Sequence, residues 1–184
     1  MPSRWFLLAL LMFTLSNVAG ALDKKDRTPK SDTFASTEGR YSVKVAGKDS
    51  TDTKQIAYGA DPAQTVTRTI TKWDAPPPGG TYSVTFADYP ELFKGLDATL
   101  LDGARDGVKG PDGLGGAVIS EKPVEVGGEK VVGREVVVRA RKNWVRVRLV
   151  MVELRLYQVM VTGPEEAVNG EAAKQFLDSF QLAK

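Results

Sequence analysis

Neither cysteine nor histidine occurs in this sequence of 184 residues. Without cysteine there are no disulfides, no thiolate metal ligands, no c-type haem attachment and no N-terminal lipid on a cysteine. Without histidine the Ser-His-Asp and Cys-His hydrolytic systems lose their base, and the commonest metal ligand is missing. Charge of one sign is not in excess either. There are 25 Lys and Arg against 23 Asp and Glu, a formal net charge of +2, so any charge argument has to be local. Aromatic residues make up 8% and apolar residues 42%. That is enough for one core without cross-links, since a domain of this size buries about two-thirds of its surface on folding.

What is present begins with an export signal. Arg4 precedes the apolar run Trp5–Leu15, and small residues follow at Ala19-Gly20-Ala21. A short positive segment, an apolar stretch of roughly 7–15 residues and an A-x-A-like site form a secretory signal. The run is too short to cross a bilayer as a helix, which takes roughly 20 residues. Cleavage is expected after Ala21, with the bond before it as the alternative, leaving no transmembrane anchor. Removing residues 1–21 takes away Arg4 and no acid, so 24 cations face 23 anions, a net charge of +1. Residues 22–33 are polar and read as a flexible linker. Residues 34–184 form the domain, and an exported protein is expected in the periplasm or the medium.

The domain opens with strand patterns. Tyr41, Val43 and Val45 alternate with Ser42 and Lys44, as a half-buried strand requires. Gln55–Tyr58, Thr65–Thr71 and Thr81–Ala87 give three further strands, the last two separated by a proline-rich turn at 74–80. Leu92, Leu96, Leu100 and Ala104 then recur at four-residue spacing, predicting a helix over 90–104. A glycine-rich loop is expected over 103–116. Segments 117–126, interrupted at Pro123, 131–141 and 144–161 return to β, and the last is too long for one strand. Its turn is expected at Val152-Glu153-Leu154-Arg155. A final helix over 171–180 would bury Ala172, Phe176 and Phe180, with Ala173 and Leu177 adjoining. The order predicts an α+β fold: a central antiparallel sheet of about six to eight strands sandwiched by helices, because consecutive apolar residues such as Leu149–Val152 need cover on both faces.

Six segments carry a resemblance. Gly39–Val45, Tyr82–Pro90, Leu101–Gly107, Gly133–Val136, Arg155–Pro164 and Phe176–Phe180 resemble, in that order, segments of small exported bacterial proteins of the PsbP-like fold superfamily. The resemblance spans residues 34–182. It implies a central antiparallel sheet between helices, like that of the photosystem II extrinsic subunit PsbP and of a Ran-binding nuclear import factor. The matching segments are structural and imply no catalytic residue. PsbP relatives implicated in metal handling use histidine, which this chain lacks.

Three features bear on function. Asp102, Asp106 and Asp112 lie in a glycine-rich stretch, but Arg105 and Lys109 between them oppose a cation, and the spacing is not that of an EF-hand. No phosphate-cradling G-x-x-x-x-G-K-[ST] string occurs. Ser120 with Lys122, and the pair Glu165-Glu166, expected in a turn before the last helix, lack the partners of acid–base chemistry. The third feature is basic: seven cations fall within 134–155. Strand alternation puts Arg139 and Arg141 on one face, and Arg146 and Arg148 on one face. Strands pairing around Lys142-Asn143 would bring the four together beside Trp144. Their heads would either engage an anionic protein, polymer or lipid headgroup, or pair with Glu125, Glu135 or Glu153. The expectation is an exported, non-enzymatic domain that binds or scaffolds an anionic macromolecular partner through Arg139, Arg141, Trp144, Arg146 and Arg148. No cofactor, metal or nucleic acid is expected. The alternative is a carrier of a small ligand or lipid, with a pocket between sheet and helix.

Overall fold

The computed structural model describes residues 32–57, 64–109, 116–126, 131–140 and 143–183. The expected signal segment and cleavage site, residues 22–31, Arg141 and Asp112 lie outside them.

The strands are β1 (Asp32–Ser36), β2 (Tyr41–Val45), β3 (Asp49–Ala57), β4 (Thr65–Asp74), β5 (Thr81–Asp88), β6 (Gly116–Val126), β7 (Val131–Ala140), β8 (Asn143–Val152), β9 (Arg155–Gly163) and β10 (Gln181–Leu182). The helices are α1 (Asp97–Lys109), α2 (Glu165–Asn169) and α3 (Glu171–Asp178), with a 3-10 turn at Glu91–Phe93. Seven strands form one sheet in the order β3-β4-β5-β9-β8-β7-β6, and β1-β2-β10 form a second, small one. Every pairing is antiparallel. The expected sandwich is therefore present, with seven strands in the main sheet.

Alternation along the central strands feeds two cores. On one face Val136, Val138, Val145, Val147 and Leu149 pack against Leu100 and Leu101 of α1. On the other, Tyr82, Val84, Phe86, Tyr157, Val159 and Val161 meet the small sheet and α3. The long apolar run turns where expected: Val152 pairs with Arg155, and Glu153 takes a positive φ of 55° in place of the glycine or asparagine such a turn prefers. Pro123 does not interrupt β6. It sits in an edge strand, where its missing N–H costs no ladder bond.

Four boundaries differ from the sequence reading. β1 begins at Asp32, inside the expected linker, and pairs with β2 through its backbone. The helix expected at 90–104 is displaced: a 3-10 turn and Gly95, at φ 78°, precede α1, leaving Leu92 and Leu96 exposed. The expected loop from 103 is helical as far as Lys109. Gly103 and Gly107 are carried by burial of Leu100 and Leu101 and by the pairs Asp102–Arg105 at 3.2 Å and Asp106–Lys109 at 3.1 Å. Glu165-Glu166 open a separate short helix instead of a turn. In α3 the buried stripe runs through Ala173, Phe176 and Leu177, while Ala172 is exposed.

Candidate functional site

The β7–β8 hairpin brings Arg139, Arg146 and Arg148 onto one face. Arg139 pairs in register with Trp144, Val137 with Arg146, and Glu135 with Arg148, so all six side chains share the α3 side of the sheet. Arg139 is exposed and Trp144 is half-buried against the core. Arg146 and Arg148 do not form a free basic surface, because both are spent on Glu135. Arg146 donates to Glu135 Oε1 through Nε at 3.0 Å and Nη2 at 2.7 Å, and Arg148 Nε donates to Oε2 at 2.9 Å. Lys122 Nζ stands 3.2 Å from Oε1. Arg148 also donates to the Leu177 carbonyl at 2.9 Å and to Asp178. Glu135 is only 2% exposed. Burial raises its proton affinity, but Arg146, Arg148 and Lys122 outweigh that and hold the carboxyl at about 2. The like charges that the sequence crowds together are thus compensated from within the hairpin.

A second ion network lies on the α1 side. Arg134 bonds Asp102 and, at 3.0 Å, Glu121. Arg105 reaches Asp106 at 3.0 Å and Glu121 at 3.4 Å. Asp102 and Asp106, considered as calcium ligands from sequence, are each committed to cations here. Asp106 is held below the usual carboxylate range by Arg105 and then Lys109.

Beside this network the sheet is left partly uncovered. α1 packs over β7 and β8 and leaves a groove of about 880 Å³ between itself and β3, β4 and β9. The α1 wall is Leu100, Gly103, Ala104, Gly107 and Val108, the three- and four-residue spacing of one helix face. A Cβ added at Gly103 or Gly107 would meet nothing within 4 Å. The opposite side comes from β4. Its alternation turns Thr69, Thr71 and Trp73 into the aromatic core and puts Arg68 and Lys72 in the groove. Among the described residues no Asp or Glu lines it. Among the described residues three buried side-chain polar atoms lack a hydrogen-bond partner: Tyr41 Oη, Arg68 Nε and Ser83 Oγ. Two belong to this face of the sheet, since Ser83 pairs in register with Lys72. Tyr89, at the Arg68 end, is raised in proton affinity by burial, with Arg68 opposing. Neither Arg68 nor Lys72 stood out in the sequence. The signal that would have found them is two cations four apart in a threonine-rich strand whose alternate residues are core.

A layered α+β sandwich, with one helix on one face and a small sheet with two short helices on the other, is the class this architecture defines. The fold is PsbP-like. The chain is similar to the solution structure of cyanobacterial PsbP (CyanoP) from Synechocystis sp. PCC 6803, with a TM-score of 0.54 and 11% identity over 85% of this chain and 95% of that one. At that identity the likeness carries the fold alone. By sequence, no family model and no curated protein matches the chain.

Proposed function

We propose that this is an exported, non-enzymatic domain that binds a small ligand in the groove between α1 and the sheet. The observation that carries this reading is the groove itself. Its volume of about 880 Å³ falls in the range of roughly 300–1,000 Å³ typical of small-molecule sites. It joins an apolar helix wall to a sheet that offers Lys72 and Arg68, whose Nε has no hydrogen-bond partner. The basic hairpin supports a macromolecular anion less well, because Arg146 and Arg148 are already paired with Glu135. The carboxyls whose proton affinity is shifted, Asp106 and Glu135, are both held ionised by cations, which suits structural pairing better than proton transfer. Export is part of the proposal and rests on the signal pattern of residues 1–21.

The test is to fill the groove. Gly103→Leu with Gly107→Leu places two side chains where a Cβ meets open space. It also replaces helix glycines, each less favourable than an ordinary residue by about 0.5–1 kcal/mol. The full chain should bind an environment-sensitive hydrophobic fluorophore, and the double variant should lose that binding while its unfolding midpoint holds or rises. Unchanged binding in a folded variant would place the site elsewhere.

A further inference from the structure

We propose, building on the groove reading, that the occupant is a single-chain amphiphile with a carboxylate head, of the fatty-acid type. Its head lies on Arg68 and its chain runs along α1. The charge of the head follows from the lining, which among the described residues holds Arg68 and Lys72 and no Asp or Glu, the nearby Asp52 on this face being paired with Lys54 at 3.0 Å. Its shape follows from which atom is unspent. Arg68 Nε is buried without a partner. Nε and the terminal nitrogen beside it are two parallel N–H donors of one planar fork, which fits a carboxylate once the guanidinium turns Nε from its buried position toward the groove.

The chain follows from the helix. Leu100, Ala104 and Val108 recur every four residues along the groove, and Gly103 and Gly107 between them keep the wall low. Glycine inside a helix is unfavourable relative to alanine, and nothing packed against these two requires it. An alkyl chain laid over them would use the space. From Thr99 to Val108 the wall runs about 14 Å at 1.5 Å per residue. With carbon–carbon bonds of about 1.5 Å zigzagging at the tetrahedral angle, each methylene advances about 1.3 Å and roughly eleven span the wall. One helix supplies one apolar wall, which suits one chain rather than two.

The probes are dodecanoate, 1-dodecanol, dodecyltrimethylammonium and dodecyl phosphate, titrated into the full chain at low salt below their micelle-forming concentrations. Dodecanoate should bind at least about tenfold tighter than the alcohol, the scale of one charge-assisted fork, and the ammonium should bind weakest. R68Q should abolish the preference for dodecanoate and leave the alcohol within about twofold, the uniform loss of a single head contact. R68K, which keeps the charge and loses the fork, should fall between them and carries the test if R68Q does not fold. Equal binding of carboxylate and alcohol would overturn the head assignment while leaving the groove as a site. Tighter binding of the phosphate than of the carboxylate would replace one head by the other. Binding by none of the four, with the fluorophore still held, would overturn the amphiphile. Loss of both would overturn the groove reading as well.

Discussion

Replacing Glu135 by glutamine removes the one negative charge that Arg146, Arg148 and Lys122 share beneath α3. The glutamine is close in size, so packing changes little and the charge is what is tested. Folding lowers the carboxyl's proton affinity from 4.5 to about 2. At about 1.4 kcal/mol for each tenfold change in that affinity, the paired carboxylate contributes about 3 kcal/mol of stability at neutral pH. This agrees in scale with the roughly 3–5 kcal/mol lost when one partner of a buried pair is removed. The sign is fixed by the direction. Because the folded value lies below the unfolded one, the contribution is complete above pH 4.5 and is lost as pH falls toward 2. At pH 3 under half of it, about 1.4 kcal/mol, should remain. Urea unfolding of parent and E135Q from pH 7 to pH 3 measures the gap directly. A gap below about 1 kcal/mol at pH 7, or one that does not narrow on acidification, would refute the reasoning.

Two further outcomes are expected. Phe176 is 2% exposed and stacks on Tyr82 at 4.7 Å, so Phe176→Ala should cost about 3–5 kcal/mol in urea unfolding, and an unchanged midpoint would detach α3 from the core. N-terminal sequencing of protein recovered from the envelope or medium should begin at Leu22 or Ala21, and intact Met1 in the membrane fraction would reject export with cleavage.

The legible parts of this fold are those where one residue type has one physical meaning. Tyr41-Ser-Val-Lys-Val alternates because one face is core and the other is not. The break at Glu153 follows from the length of the apolar run on either side. β3 was legible only at its C-terminal end. Apart from Ile56 it is exposed throughout, and its threonines bond across to β4, Thr51 to Thr71 at 3.1 Å and Thr53 to Thr69 at 3.2 Å, a pattern with no hydrophobic period. Leu92 and Leu96 misled because helical spacing is also what a 3-10 turn followed by a glycine kink produces by chance. In the basic cluster the sequence showed which arginines share a face, and it named Glu135 among several acids that would pair with them. Only the register of β7 on β8 sets Glu135 between Arg146 and Arg148. The groove was illegible for a different reason: it depends on how far α1 lies from β4, which no local pattern encodes.

The strand order has a consequence for how the chain reaches this state. β3-β4-β5 and β6-β7-β8 are each runs of neighbours along the chain, and they are joined only when β9 enters between β5 and β8. The small sheet likewise waits for β10 at residues 181–182 to reach β2, near residue 41. Until β9 and β10 have left the ribosome, the molecule is two unfinished half-sheets, each with an open edge. Closure is therefore late and rests on long-range contacts, which makes it slow compared with a helical protein of this size. A chaperone that covers those edges during synthesis would act on two separate surfaces, at β5 and at β8, and both would vanish in one step when β9 docks.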